Sequence, residues 1–308
     1  MQKVRLIFLF VILQVLFINK YRAQEAETVL KTDFVIRDFK VFKDSIFYIK
    51  KRNAFLLDKK TKSSKNYFIG GYGLKINTQE NSNTIITVAN ELVDTVSSIR
   101  FYNKKLREFE AEFYYKKGKI LDFILLEEAK LFVLSLTTNK IIFIDYKDSP
   151  EYYKTIEIKL NSLSRKLLYK DNMLYFATDN GNIYKYDFLN YKKTLIHNVN
   201  NVITEFTLVD EALIYTTING DIVKINLSTN EEIKIKIDNN FISTFLKFND
   251  KLICGSWNGK IFILDINTFT INQEFNFHKR AIISIKKDEN NTIYSSSLDQ
   301  TIKSWKFN

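Results

Sequence analysis

The chain has 308 residues, 45% of them apolar and 15% aromatic, which is enough for one large domain or two ordinary ones with a substantial core. A single cysteine, Cys254, excludes an intrachain disulfide and any multi-cysteine metal site. The formal charge is +11, yet Lys3, Arg5, Lys20 and Arg22 lie in the first 23 residues, and many later lysines alternate with apolar residues, as in Lys234-Ile235-Lys236-Ile237. That pattern belongs to solvated strand faces and protected edges, and it argues against a nucleic-acid groove.

The N-terminus reads as an export signal. Met1–Arg5 is basic, residues 6–18 are apolar apart from Gln14, and Ala23-Gln24 offers a cleavage junction. The apolar run is shorter than the roughly 20 residues of a membrane span. Residues 1–23 are therefore expected to be a signal peptide, with an uncleaved anchor through residues 6–18 as the alternative. No cysteine follows the run, which excludes a bacterial lipoprotein. Residues 24–308 then form the mature domain, periplasmic, outer-surface or secreted. Membrane contact is expected only if the leader stays attached.

After the leader, Thr28–Arg37 is strand-like but has no partner of its own. A repeat follows. The residues that close its third strand are Asp58, Asn103, Asp145, Asp187, Asn226, Asp265 and Lys306, spaced 45, 42, 42, 39, 39 and 41 apart. A period near 40 is the mark of stacked supersecondary units. In the first two units Ser45–Lys50, Ala54–Leu57, Thr84–Ala89 and Ser98–Tyr102 are the strand candidates. The third, Ile120–Leu160, turns at Thr138-Asn139. The next three carry Asn180-Gly181, Asn219-Gly220 and Asn258-Gly259 before an alternating third strand, and Asn-Gly predicts a type I′ hairpin with positive φ at both positions. Leu163–Tyr169, Ile203–Val209 and Ile242–Phe248 are expected first strands. Met173–Thr178, Leu213–Ile218 and Leu252–Trp257 are expected second strands. Each unit is thus strand, turn, strand, turn, strand, loop, strand.

The last unit contains Ala281–Lys287, Thr292–Leu298 and Thr301–Phe307, and stops after its third strand. The run Ser297-Leu298-Asp299-Gln300-Thr301-Ile302-Lys303-Ser304-Trp305, with His278 upstream, resembles the signature of a WD-repeat β-propeller blade. Phe277 and Lys306 stand where that family has Gly and Asp. The resemblance implies an all-β fold of seven four-stranded antiparallel blades. It implies a polar tetrad of His278, Ser297, Asp299 and Trp305 that holds the blade together. It also implies closure of the ring by an N-terminal strand, with Val29–Ile36 pairing beside Thr301–Phe307. The Asn/Asp-x-x-Thr turns after the third strands are similar to those of quinoprotein-type propellers as well.

Catalytic signatures are absent. The sequence contains no G-x-S-x-G, H-E-x-x-H, Cys–His or P-loop motif, and its two histidines are His197, in an expected outer strand, and His278. No cofactor or metal is expected; Asp179-Asn180-Gly181-Asn182 lacks the distal acid of a Ca²⁺ loop and reads as a hairpin. In WD-repeat relatives, residues just before the second-to-third-strand turn contact partners on one face. Here these are Thr137, Asp179, Ile218, Trp257 and Leu298, joined by Lys279 and Arg280 from a loop between blades. The reading is a monomeric, non-catalytic scaffold that docks a protein or peptide on that face. The alternative is a propeller enzyme or carbohydrate-binding module acting on exported polymers, which calls for convergent carboxylates or aromatic platforms at the channel mouth.

Overall fold

The computed structural model describes residues 25–78, 83–92, 95–105, 108–126, 130–145, 155–237 and 240–306. The leader expected over residues 1–23 and the end of the expected strand at Phe307 lie outside them. The described residues form 28 strands and no helix, arranged as seven four-stranded antiparallel sheets.

The first strand, β1 (Glu27–Lys31), stands apart from the blade that follows it. Blade one is β2 (Ile36–Val41), β3 (Ser45–Lys50), β4 (Asn53–Asp58) and β5 (Ser64–Phe68); blade two is β6 (Tyr72–Thr78), β7 (Thr84–Asn90), β8 (Ser97–Asn103) and β9 (Glu108–Tyr115). Blade three is β10 (Ile120–Leu126), β11 (Leu131–Leu136), β12 (Lys140–Asp145) and β13 (Thr155–Lys159); blade four is β14 (Ser164–Lys170), β15 (Met173–Thr178), β16 (Asn182–Asp187) and β17 (Lys192–Asn198). Blade five is β18 (Ile203–Val209), β19 (Ala212–Thr217), β20 (Asp221–Asn226) and β21 (Glu232–Lys236); blade six is β22 (Ile242–Phe248), β23 (Lys251–Ser256), β24 (Ile261–Asp265) and β25 (Thr270–Phe275). Blade seven has only β26 (Ile282–Lys287), β27 (Ile293–Ser297) and β28 (Thr301–Trp305) of its own, and β1 completes it in the order β1-β28-β27-β26.

β1 runs antiparallel to β28, from Glu27 opposite Ser304 to Lys31 opposite Thr301. The closing strand is shorter and earlier than the expected Val29–Ile36. The chain leaves the sheet at Thr32, whose N–H donates to Gln300 O at 3.0 Å, and Ile36 already opens β2. Without β1 the backbone of β28 would be an unpaired edge, open to pairing with another chain.

The core is not one mass but seven layers, each pressed between consecutive blades. Phe47, Ile49, Ile85 and Tyr102 fill the gap between blades one and two, and Ile253, Ile263, Ile282 and Trp305 that between six and seven. Tyr294 and Ile302 of blade seven meet Ile36, Phe39 and Tyr48 of blade one, with Val29 and Leu30 of β1 packed against them, which closes the ring. Middle strands are buried on both faces, as in Ser45–Lys50 and Ala212–Thr217, so they read as continuous apolar runs. Outer strands such as Glu232–Lys236 are mostly exposed, which is where the alternating lysines sit.

The second-to-third-strand turns differ from the expected type I′. Gly181, Gly220 and Gly259 have φ of 82°, 85° and 91°, but the preceding asparagines do not have positive φ. Each glycine N–H donates three residues back, to Thr178 O (2.9 Å), Thr217 O (3.0 Å) and Ser256 O (3.3 Å). This is a turn of type I pattern followed by one left-handed residue, the common three-residue hairpin. Asn139 (φ 56°) and Gln300 (φ 70°) hold the same place in blades three and seven. Glycine recurs there for a second reason: the turn lies against the loop entering the next blade. A Cβ at Gly181 would stand 2.6 Å from Asn201 O, and those at Gly220 and Gly259 would meet Asn240 O and His278 O. The third-to-fourth-strand turns are Asx turns, in which Asp58, Asp187, Asn226 and Asp265 accept backbone N–H bonds from residues two and three ahead.

Every first strand carries a bulge at the same place. Register shifts between Ile36/Asp38, Gly73/Lys75, Ile120/Asp122, Ser164/Lys166, Ile203/Glu205, Ile242/Thr244 and Ile282/Ser284. A bulge adds one unpaired residue and re-aims its neighbours. First strands of consecutive blades also contact one another, so the bulges gather around the central axis.

Candidate functional site

The polar chain of blade seven is built around His278, whose side chain is fully buried. Its Nδ1 lies 3.0 Å from Asp299 Oδ2, and its Nε2 lies 2.6 Å from Ser295 Oγ. The β27 hydroxyl on the imidazole is therefore that of Ser295, one pleat deeper than the expected Ser297, and Thr301 Oγ1 lies 3.2 Å from Nδ1. Ser297 is spent on the turn: its Oγ donates to Arg280 O at 2.8 Å and accepts from Asp299 N at 3.0 Å. Thr301 Oγ1 joins by donating to Asp299 Oδ1 at 2.6 Å. Trp305 shares the blade but not the chain of bonds. Its Nε1 is buried with no hydrogen-bond partner among the described residues, and its ring instead packs 5.0 Å from that of Phe277. Burial pushes the Asp299 carboxyl up, but His278, Thr301 and the Lys279 N–H outweigh it and hold it well below the usual carboxylate range.

Thr137, Asp179, Ile218, Trp257 and Leu298 all follow second strands, and Lys279 and Arg280 precede a first strand, so all seven lie at one end of the ring. Thr137, Ile218, Trp257, Lys279 and Arg280 are exposed, whereas Asp179 and Leu298 are half-buried. Trp257 is 53% exposed and is not wedged between blades six and seven. It stacks on Phe241, centroids 5.1 Å apart and rings 22° from parallel, while its backbone N–H donates to Phe241 O. Asp179 is held by Arg165 in a bidentate pair, with N–O distances of 2.9 and 3.0 Å. Exposed Phe34, Phe68, Tyr72, Leu92 and Val202 also belong to this end, because each lies at or beside the start of a first strand or the end of a second or fourth. Phe34, Phe68, Tyr72 and Leu92 belong to blades one and two, which lack the Asn-Gly marker, so no sequence signal set them apart. Among the described large apolar side chains, the opposite end exposes Tyr169, Leu189, Tyr191 and Ile233.

Around the axis, the residue after each bulge forms a ring: Asp38, Lys75, Asp122, Lys166, Glu205, Thr244 and Ser284. Charge alternates over the first five. Lys75 reaches Asp122 at 2.5 Å and Lys166 reaches Glu205 at 2.6 Å, each across a blade boundary. Asp122 Oδ2 also accepts Leu167 N at 2.8 Å from blade four. Asp38 accepts Ile76 N (2.9 Å) from blade two and Ser284 Oγ (3.0 Å) from blade seven, with Lys286 Nζ at 3.6 Å. The carboxylates are nearly buried, yet each has cationic and N–H partners, the condition for burying charge. Burial alone would lower the Lys166 ammonium, but Glu205 and Asp122 outweigh it and raise it. Pattern reading missed the ring because the bulge interrupts the two-residue period.

No protein-family model matches the sequence, and no curated protein matches it. Solved structures do. The WD40 β-propeller domain of Doa1 superposes with a TM-score of 0.73 at 13% identity, covering 92% of this chain and 97% of that one. The fold is that of a WD40-type β-propeller. The computationally designed Ika8 protein superposes with a TM-score of 0.68 at 12% identity, over 92% of this chain and 100% of that one. At such identities the likeness is one of fold.

Within the propeller the other reactive side chains are structurally engaged. Cys254 is fully buried in blade six, and burial pushes its thiol up, away from thiolate chemistry. His197 lies tilted against Tyr215 of blade five, ring centroids 5.5 Å apart, and is lowered by burial, while burial pushes the Tyr215 phenol up to about 12. Among the described residues, no group of three His, Cys, Asp or Glu side chains is placed to hold a metal ion.

Proposed function

We propose that this propeller is a non-catalytic interaction scaffold that docks a protein or peptide on its loop-bearing end. The observation that carries the reading is the exposed Trp257 ring stacked on half-buried Phe241. A half-exposed indole already ordered by a stacked ring loses little entropy on binding and offers a large apolar contact, the profile of an interface anchor. Ile218 and Val202 of the neighbouring blade, joined by the Ile218 N–H to Val202 O bond of 3.0 Å, extend the apolar ground. The rigid, inter-blade-clamped ring below suits a docking platform, since little has to be ordered when a partner arrives. The axial carboxylates, each engaged by a neighbouring cation or N–H, are occupied in holding blades together.

The test uses the full chain as bait in an extract of its native host, beside Trp257→Ala. A partner held by the wild type and lost at least tenfold with Trp257→Ala, at unchanged unfolding midpoint, supports docking at this anchor. Equal capture by both baits moves the site elsewhere. We further propose export, on the strength of the basic start and apolar run of residues 1–18. N-terminal sequencing of the native protein reads Gln24 after cleavage and Met1 if the segment is retained as an anchor; recovery of the native protein in the cytosol overturns export.

A further inference from the structure

Arginine occupies only eight of the 46 basic positions in this lysine-rich chain. The five among the described residues are Arg37, Arg52, Arg100, Arg165 and Arg280, and all but Arg100 lie at the loop-bearing end. Arg37 and Arg165 are bulge residues in the first turn-ward positions of β2 and β14. Arg52 and Arg280 lie in loops of that end, whereas Arg100, inside β8, is held by Glu112 and Tyr114 of β9 and comes within 3.9 Å of Glu91, just past β7. Lysine, by contrast, is found at both ends and along the outer strands. Arginine's planar fork takes carboxylates two bonds at a time where lysine acts as a point charge.

From this bias we infer that the partner's docking segment is an acidic peptide with a bulky apolar residue, an assignment that rests on the docking reading above. Arg165 shows the chemistry in place, since it grips the Asp179 carboxylate with two nitrogens. Arg37, Lys279 and Arg280 are exposed, and their side chains have no ion pair or hydrogen bond among the described residues. They lie on blade one and on the loop entering blade seven, next to Trp257 of blade six. An acidic stretch laid over blades seven and one meets these three cations while its apolar residue reaches the indole. A nucleic-acid backbone fits less well. Asp33, Glu91 and Asp179 stand on the same end, paired with Lys50, Arg100 and Arg165, and a continuous run of phosphates would cross them. A short peptide engages the unpaired cations alone.

The experiment is a selection of random peptides of about 12 residues displayed on phage against the immobilised full chain, with an oligodeoxythymidine of about 20 nucleotides tested alongside by fluorescence anisotropy. The selected pool is expected to be enriched in Asp and Glu around one or two large apolar residues. The affinity of an individual selected peptide is expected to fall about tenfold in the Arg37→Gln/Arg280→Gln double variant, and about as much when salt rises from about 50 mM to about 500 mM. Both arginines are exposed, so unfolding curves of the double variant should overlay the wild type. A neutral or basic pool that still needs Trp257 overturns the acidic assignment and leaves the docking reading standing. An acidic pool indifferent to both arginines overturns it as well. Oligonucleotide binding tighter than any peptide, and lost with the same arginines, replaces peptide by nucleic acid. A selection that enriches nothing over bare resin removes both readings together.

Discussion

Replacing Asp122 tests whether the axial ring holds the blades in order. Its two oxygens join three blades: Oδ1 takes Lys75 Nζ of blade two at 2.5 Å, and Oδ2 takes Leu167 N of blade four at 2.8 Å. Asp122→Ala orphans a buried N–H, which costs about 1–3 kcal/mol, and strips Lys75 of its partner. Breaking a fully buried pair costs about 3–5 kcal/mol, but the Lys75 side chain is 32% exposed and can turn to water, so that part counts for much less. The expected loss is about 3 kcal/mol for Asp122→Ala and about 1–2 kcal/mol for Asp122→Asn, which keeps an acceptor for Leu167. Lys75→Met should cost about 1–2 kcal/mol, and the double variant less than the sum, with a coupling of about 1 kcal/mol or more. Urea unfolding followed by the fluorescence of buried Trp305, in a Trp257→Phe background, reports on the closing blade directly. If Asp122→Ala and Lys75→Met each shift stability by under about 0.5 kcal/mol and add independently, the ring is incidental to the clamp described above.

Three further outcomes follow from blade seven. Ser295→Ala should shift the imidazole nitrogen resonances of His278, because it removes the 2.6 Å bond to Nε2, while Ser297→Ala should leave Nε2 unmoved; the reverse pattern in an NMR spectrum refutes the assignment. Gln300→Gly should stabilise by about 0.5–1 kcal/mol, since Gln300 pays the left-handed penalty at φ 70° that glycine avoids, partly offset by glycine's greater freedom in the unfolded chain; a loss in urea midpoint contradicts this. The folded Asp299 carboxyl is lowered, so the unfolded state binds its proton first as the solution is acidified. Its stabilisation is present above the ordinary carboxylate value of 3.8 and is lost as pH falls below that. Asp299→Asn should therefore flatten the acid limb of a stability profile below about pH 4, and an unchanged limb would falsify the link.

Much of the architecture was legible because it is periodic. A residue closing the third strand recurs every 39 to 45 positions, and the strand ranges read from alternation fall within one or two residues of most of those observed. The Asn-Gly pairs pointed to the right turns for a partly wrong reason. One left-handed residue suffices, and the second constraint is the loop of the next blade pressed against the glycine, as with Asn201 O at Gly181. That contact joins residues 20 positions apart through the fold, and no local pattern encodes it. The closing strand was foreseeable from the missing fourth strand of blade seven. Its bounds were not, because Val35 and Ile36 look equally good as the end of β1 or the start of β2.

The site was legible only where chemistry is rare. Trp257 stands out as one of two tryptophans, and its position after a second strand places it on the loop end. The axial ring is the opposite case. Asp38, Lys75, Asp122, Lys166 and Glu205 look like ordinary surface charges in sequence, and their alternation of sign appears only when the residues that follow the bulges of successive first strands are set side by side. These two sets of residues answer different demands. Residues on the axis must satisfy fixed partners in both neighbouring blades, so each is specified by the two units beside it. On the loop end the side chains of Arg37, Lys279 and Arg280 make no ion pair or hydrogen bond among the described residues, and Trp257 keeps one face of its ring exposed. A substitution in the ring is therefore felt first as stability, whereas one at Trp257, Arg37 or Arg280 is felt first as affinity. Urea midpoints and binding constants measured on the same variants separate the clamp from the face.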